Sequence, residues 1–350
     1  MIRRRTSIAA FGALTVSALA RPAIAQTREL LLFNWTNYTS PEMLKRFEAE
    51  TGIKVRLDTY ESNEAMLAKL QAGGTGYDIV VPTGPTVQTM VRNGLLLRID
   101  AGAMSNFHNV RAPFDKPEFD PERAYSVPYM WGTTGFAYDQ ALLPGVTLTD
   151  TWKELFEPRA EVAGRIAELA DNGEVFVAAA FYLEYNRCTE KADEGQAILE
   201  LLQKQKPAVK VYSSSGSIDR LVAGEVAVHQ MWNGAAHRAH VRKASIVYVY
   251  PREGVNLWGD NFAVAKGAPH LEEAKLFLNW MMDPKNAAEA SNYTGYNNAI
   301  GGADQYLNVA LRDDPAVNTP KEYESRLSLT RECPQPSVDL RQRVWTRLQR

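Results

Sequence analysis

The chain has 350 residues, 45% of them hydrophobic, with 39 basic against 41 acidic side chains and a formal net charge of −2. This balance argues against a nucleic-acid-binding protein, which needs a basic face. The length exceeds what one ordinary hydrophobic core serves, so two domains are expected.

The first 25 residues predict a cleaved export signal. Residues 3–5 are arginines, residues 8–20 are apolar and uncharged, and residues 23–25 form a small-x-small cleavage site, so the mature chain would begin at Gln26. The apolar stretch is shorter than the roughly 20 residues that a membrane anchor needs. Both a twin-arginine and an ordinary secretory signal fit. Removing four arginines leaves 35 basic and 41 acidic residues, a net charge of −6. The predicted location is the periplasm.

After the signal, short apolar runs alternate with amphipathic helical patterns. Ser40 and Pro41 are typical of a helix start and Gly52 of a helix end. The alternation predicts an α/β protein with largely parallel sheets. The predicted strands are 29–34, 54–60, 77–81, 224–228, 245–250 and 261–265, and the predicted helices are 41–50, 63–71, 86–93, 271–282 and 338–348.

No motif in the sequence favours a cofactor, a metal or an enzyme. Glycines 73, 74 and 76 precede a strand, whereas the nucleotide-binding fingerprints place theirs between strand and helix. His237 and His240 lie three apart on a predicted helix without a zinc motif around them. There is no Gly-x-Ser-x-Gly elbow. A triad assembled in space stays an alternative, and a hydrolase is therefore the less favoured function.

Three distant segments present tryptophan beside small polar residues. They contain Trp35, Trp232 and Trp258, the last followed closely by Asp260. Aromatic faces attract an ammonium group, and a carboxylate supplies the hydrogen-bonded counter-charge. Each tryptophan alone could equally be a core residue. Together they indicate a cleft for a small organic cation.

The chain resembles the spermidine/putrescine-binding proteins of bacterial ABC transporters. The resemblance covers essentially the whole mature chain, and the order and spacing of its motifs make it specific. These motifs are Phe33-Asn34-Trp35-Thr36-Asn37-Tyr38, Thr59-Tyr60-Glu61-Ser62-Asn63-Glu64, Tyr77-Asp78-Ile79-Val80-Val81-Pro82, Pro128-Tyr129-Met130-Trp131-Gly132, Met231-Trp232-Asn233-Gly234 and Trp258-Gly259-Asp260.

The resemblance implies a two-lobed periplasmic-binding-protein fold of the class II type, with an interlobe cleft and three hinge crossings. Lobe 1 would comprise residues 26–134 and 260–301, and lobe 2 residues 135–259 and 302–350. The implied partners are a polyamine ligand and the permease subunits of an ABC importer. A monomer without cofactor, metal or nucleic acid is expected.

The same resemblance implies the ligand-binding residues. Asp171 and Glu174 are three apart and would share a face if their turn is helical. The complete set is Trp35, Thr36, Tyr38, Thr83, Asp171, Glu174, Trp232, Trp258, Asp260 and Tyr296.

Several alternatives remain open at this stage. Pro85 stands where spermidine-binding relatives have an aromatic residue, and Arg331 replaces a neutral amide, which would repel an amine unless Glu332 or Glu322 neutralises it. A quaternary amine, ferric iron, an anion, or a sensing role would suit the same fold. Cys188 and Cys333 could form a disulfide or stay free, because sequence spacing does not report their distance.

Overall fold

A computed structural model describes residues 28–73 and 76–350. The predicted signal segment, with its cleavage site after Ala25, lies outside the described residues. Among the helices that are described, none is both long and apolar enough to cross a membrane.

The described residues form eleven strands. They are β1 (Arg28–Trp35), β2 (Ile53–Tyr60), β3 (Ile79–Val80), β4 (Ser126–Asp139), β5 (Ile166–Glu168), β6 (Val209–Tyr212), β7 (Val228–Trp232), β8 (Ile246–Val249), β9 (Val255–Val264), β10 (Asn297–Asn298) and β11 (Leu327–Leu329).

Twelve α-helices accompany these strands within the described ranges. They are α1 (Pro41–Thr51), α2 (Asn63–Gln71), α3 (Gly84–Arg92), α4 (Lys153–Phe156), α5 (Asn172–Tyr182), α6 (Ala192–Gln205), α7 (Ser217–Val222), α8 (Asn233–Arg242), α9 (Leu271–Met281), α10 (Pro284–Thr294), α11 (Val309–Arg312) and α12 (Gln335–Gln349). Short 3-10 helices span Ala101–Ala103, Phe107–Asn109, Gln140–Leu142, Lys206–Ala208, Ala303–Tyr306 and Lys321–Arg326.

The strands join into one sheet in the order β2-β1-β3-β9-β4-β7-β5-β6, with β8 and β10 paired to β4 and β11 paired to β9. Parallel pairs lie on both sides: β2, β1 and β3 on one, β5, β6 and β7 on the other. The long strands β4 and β9 run antiparallel between them. The α/β fold class predicted from the sequence is confirmed. The prediction of largely parallel pairing fails at the centre of the sheet, where the described partners of β4 are all antiparallel and β9 is parallel only to β11.

The buried side chains form separate apolar cores. One contains Phe33, Phe47 and Phe277 and is built on β1, β3 and the first part of β4. Another contains Phe136 and Trp152, with a small third core beside it. Two principal cores on one sheet are the arrangement of a two-lobed protein. The lobe boundaries given above stay a prediction.

Local sequence signals explain where several helices begin and end. Ser40 accepts a hydrogen bond from the Met43 backbone N–H at 3.2 Å and so caps α1, as predicted. Gly52 ends the helix with φ of +70°, a conformation that glycine adopts without strain. Helix α3 begins two residues before its predicted start, because Pro85 fits the first helical turn.

The strand predicted at 224–228 is wrong. Gly224 has φ of +75°, and its N–H donates to the Leu221 carbonyl at 3.1 Å, which terminates α7. Val226 and Ala227 are buried beneath the turn that follows, and β7 begins only at Val228. Backbone pairing begins at Ala227, whose N–H donates to the Arg165 carbonyl at 2.8 Å and whose carbonyl accepts from the Asp139 N–H at 3.0 Å. The residues before Ala227 belong to the turn and its exit.

Candidate functional site

A cleft of about 800 Å³ is lined by residues of the first core, among them Trp258 and Tyr296, and by Ile218 and Ala235 of the small third core. All ten residues singled out from the sequence line it. They come from the ends of β1 and β7, from β9, from the starts of α3, α5 and α8, and from the turn after α10. The carboxyl ends of strands are where α/β sheets usually hold ligands.

Aromatic rings from both sides of the cleft contact each other. The ring centroids of Trp35 and Trp232 lie 6.0 Å apart at 77°. Tyr296 contacts Trp258 at 5.2 Å and Tyr38 at 5.3 Å, both near edge-to-face. These five rings form the aromatic walls that the sequence predicted.

Hydrogen bonds hold two of these rings in place. The indole N–H of Trp35 donates to the Val81 carbonyl at 2.8 Å, and that of Trp258 donates to the Thr134 hydroxyl at 3.0 Å. Both indoles are largely buried. The rings are therefore oriented before any ligand binds, which lowers the entropic cost of binding.

Asp260 lies buried among these rings. Its Oδ2 accepts a hydrogen bond from the Tyr38 hydroxyl at 2.9 Å, while its Oδ1 is buried with no hydrogen-bond partner among the described residues. Burial raises the pKa of Asp260 to about 8, and the nearby Glu174 adds to this, against the hydrogen bond from Tyr38. A buried carboxylate oxygen without a partner is unusual and marks a position where a donor belongs.

Asp171 and Glu174 lie at the start of α5, across the cleft. Asp171 caps the helix, with Oδ1 accepting from the backbone N–H groups of Gly173 and Glu174 at 2.8 and 3.0 Å. Glu174 Oε2 accepts from the Asn256 amide at 3.0 Å. Burial raises the pKa of both carboxyls, and repulsion from Glu64 and Glu174 raises that of Asp171 further.

The two threonines of the predicted set are less free to bind a ligand. The Thr36 hydroxyl donates to the Tyr60 carbonyl at 3.3 Å, and the Thr83 hydroxyl lies 3.0 Å from that of Thr86. Pro85, one of the two departures from the family pattern, also lines the cleft.

The cleft contains charged residues that the sequence reasoning did not single out. They are Glu64, Arg92, Arg187, Arg238 and Arg341. Each projects from a helix or a turn whose orientation depends on packing. The sequence therefore offers no signal for these residues beyond their position along a predicted helix. Glu64 is the exception, because it ends one of the recognised motifs.

Arg331 also lines the cleft, and Glu332 does not neutralise it. Glu332 instead pairs with Arg92 at the end of α3. Glu322, the other candidate, does not line the cleft. The two cysteines left open from the sequence form a disulfide, Cys188–Cys333, which joins this segment to the turn after α5.

The histidines are engaged within the fold. His237 lies 2.6 Å from the Asp314 carboxylate through Nδ1, and His240 contacts the Ile246 carbonyl at 2.7 Å. Over residues 28–73 and 76–350, no group of three or more histidine, cysteine or acidic side chains is placed to hold a metal ion.

The bacterial extracellular solute-binding protein family matches residues 42–319 of the sequence. The chain is a member of that family. This solute-binding protein is similar to a putrescine/agmatine-binding protein of Pseudomonas aeruginosa, with 32% identity over 351 residues and 95% of each chain covered. It is 34% identical to the spermidine/putrescine-binding periplasmic protein of Salmonella typhimurium, over 88% of both chains.

A solved structure of a related protein indicates the same family. A Listeria monocytogenes protein assigned to a spermidine/putrescine ABC transporter superposes on this solute-binding protein with a TM-score of 0.86. The two are 29% identical, and the match covers 92% of this chain and 99% of the other. The family resemblance and the two-lobed fold expected from the sequence are therefore confirmed.

Proposed function

We propose that this solute-binding protein captures an organic amine of the polyamine class between its two lobes and delivers it to the membrane subunits of an ABC importer. The observation that carries the proposal is Asp260, a buried carboxylate inside a box of aromatic rings, with one oxygen that has no partner in the described part of the chain. The names of the relatives, which bind putrescine, spermidine or agmatine, support the same ligand class.

The chemistry of the cleft favours a protonated amine. The rings of Trp35, Trp232 and Trp258 offer flat apolar surfaces for methylenes and negative faces for a cation. Asp260 offers an acceptor for a charge-assisted hydrogen bond. A quaternary amine has no N–H to donate, so it would leave the Asp260 oxygen unpartnered.

We infer that ligand binding closes the two lobes, with residues 26–134 and 260–301 in one and residues 135–259 and 302–350 in the other. Several contacts connect the proposed lobes. Arg238 donates to the Asn37 carbonyl at 3.2 Å, the Ser215 hydroxyl donates to Glu61, and Arg92 pairs with Glu332. The hinge would lie in β4 and β9, near 133–135 and 258–261.

We also propose the compartment and the oligomeric state in which the protein acts. It would act as a monomer in the periplasm, after cleavage behind Ala25, without turnover of its ligand. A sensor that reports the ligand to a membrane receptor would use the same closed form. Binding alone does not separate these two roles, and the relatives' names favour transport.

Calorimetry on the mature chain tests the proposal. Putrescine, cadaverine, agmatine and spermidine are titrated in turn, with choline as a quaternary control. We expect at least one primary amine to bind with micromolar or tighter affinity and choline to bind much more weakly. Recovery of the amine unchanged after long incubation would support a receptor, and a product would indicate an enzyme. Absence of binding across the whole series would refute the proposed function.

A further inference from the structure

The described lining of the cleft contains as many guanidinium groups as carboxylates. The carboxylates are Glu64, Asp171, Glu174, Asp260 and Glu332, and the guanidiniums are Arg92, Arg187, Arg238, Arg331 and Arg341. A polyamine carries only positive charges, so a cleft dedicated to one would be expected to show an excess of acids. The question is which of these charges are already compensated within the protein.

The acids on the α5 side lie close enough to arginines to feel their charge, although neither acid forms an ion pair with a residue that the structure describes. Asp171 lies near Arg341, whose charge acts to lower its pKa against the effect of burial. The charge of Arg187 likewise acts to lower the pKa of Glu174. Arg187 also donates a hydrogen bond to the Asn256 amide oxygen at 2.8 Å. A ligand ammonium placed here would compete with these arginines.

Three acids remain. Glu64 is exposed to solvent, and the other two differ sharply from each other. Glu332 is paired with Arg92. Asp260 accepts only from the neutral Tyr38 hydroxyl, and within the described chain no cation acts on its pKa. The end of the cleft at Asp260 is therefore the place for a ligand's positive charge.

Several arginines of the cleft lack a full set of partners among the described residues. Arg187 is one of them, through its buried Nε, although its other nitrogens are hydrogen-bonded. The side chain of Arg331 is exposed and makes neither an ion pair nor a hydrogen bond to any residue that the structure describes. Arg341 Nε is buried without a partner in the described ranges, and its guanidinium lies 5.8 Å from the Phe176 ring centroid. A guanidinium is the group that binds a carboxylate with two parallel hydrogen bonds.

The length of helix α3 gives the approximate distance between the Asp260 end and the Arg331 end of the cleft. Thr83, which caps the helix, forms a β-bridge with Asp260. Near the other end, the Thr89 hydroxyl lies 3.4 Å from Glu332, the neighbour of Arg331 in sequence. At about 1.5 Å per residue, the six to nine residues from the cap to this end span roughly 9–14 Å. This is the length of an extended small molecule.

Resting on the proposed function, we propose that the preferred ligand carries an ammonium at one end and a carboxylate at the other. The ammonium would bind Asp260 inside the aromatic walls, and the carboxylate would bind Arg331. An ω-amino acid, or a diamine acylated by a dicarboxylic acid, has this chemistry. Arg331, which replaces a neutral amide, would then determine specificity.

The test compares ligands that differ only at the far end. Putrescine is paired with 5-aminopentanoate, and 1,8-diaminooctane with 9-aminononanoate, so that a carboxylate replaces one ammonium while the methylene number is unchanged. Calorimetry on the mature chain should show that at least one amino acid binds roughly tenfold tighter than its matched diamine, the effect of one charge-assisted hydrogen bond.

The variant Arg331→Gln should weaken the favoured amino acid about fivefold to tenfold and leave the diamines unchanged or tighter. Arg343→Gln, an exposed position on α12 outside the cleft lining, serves as the matched control and should change neither. Diamines that bind as tightly as their partner amino acids would overturn the inference and leave the proposed function standing. Failure of every amine, spermidine included, would refute the proposed function and the inference together.

Discussion

Replacing Asp260 by asparagine tests the chemistry of the cleft most directly. The substitution keeps the size of the side chain and an oxygen that can accept from Tyr38, and it removes the charge. The carboxylate is buried, and one of its oxygens has no partner among the described residues. A ligand ammonium would therefore lose its counter-charge in a site from which water is largely excluded.

The size of the effect follows from two opposing contributions. Losing the partner of a buried, hydrogen-bonded charge costs about 2–5 kcal/mol. The pKa of Asp260 is raised to about 8, so binding an amine at pH 7 must also remove a proton from this carboxyl. Removing that proton costs the wild type about 1.4 kcal/mol of its binding energy. We therefore expect a net loss of about 0.6–3.6 kcal/mol, or roughly threefold to 400-fold in Kd.

The same raised pKa predicts how binding and stability depend on pH. Between about pH 6 and 8 the wild type should bind amines more tightly as pH rises, because Asp260 loses its proton while the amine keeps its own. Without ligand, the stabilising effect of the buried protonated carboxyl is complete below the ordinary carboxyl pKa, and it is lost as pH rises through about 8. The Asp260→Asn variant should lack both the pH dependence of binding and the pH dependence of stability that Asp260 causes. Any pH dependence from Glu174, whose pKa is also raised, remains in both proteins.

Calorimetry at pH 6, 7 and 8 in buffers of different ionisation enthalpy measures affinity and proton release together. Asp313→Asn, an exposed carboxylate outside the cleft, is the matched control and should behave as the wild type does. Unchanged affinity in the Asp260→Asn variant, with proton release equal to that of the wild type, would refute the role given to this carboxylate.

Three further predictions concern the scaffold and the walls. Replacing Cys188 and Cys333 by serine should lower the free energy of unfolding by about 2–4 kcal/mol, since the bond closes a long loop; urea unfolding that matches the oxidised wild type would contradict this. Gly234→Ala should weaken amine binding, because its Cβ would lie 2.4 Å from a cleft tyrosine ring, whereas Gly102→Ala has open space and should not. Trp35→Ala should cost about 1–2 kcal/mol of amine binding by calorimetry, and an unaltered Kd would remove this ring from the site.

Most of the first part of the fold could be predicted from the sequence because its signals are local. The cap at Ser40, the stop at Gly52 and the strand before Trp35 each depend on a few neighbouring residues. The error at 224–228 has the opposite origin. There, the buried Val226 lies between the turn at Gly224 and β7, which imitates the pattern of a strand, and only the surrounding packing distinguishes the two.

The residues of the candidate site also fall into two groups, those that local sequence signals identify and those that only tertiary packing brings to the cleft. Trp35 ends β1 and Asp260 lies within β9, and each belongs to a sequence motif that singles it out. Arg341 and Arg187 reach the cleft only because α12 and the turn after α5 pack beside it, which no local pattern reports. The bond between Cys188 and Cys333 joins positions 145 residues apart, and its existence depends on tertiary structure alone.

The segment between β11 and the disulfide has a consequence for how such receptors change their ligand. Leu329 is fixed by pairing of β11 with β9, and Cys333 is fixed by its covalent bond. The three residues between them, 330–332, all face the cleft. New side chains could be exchanged at these three positions while both anchors and the cores stay as they are, so this short bridge is a natural place for selection, or for an engineer, to retune which nutrient the protein collects.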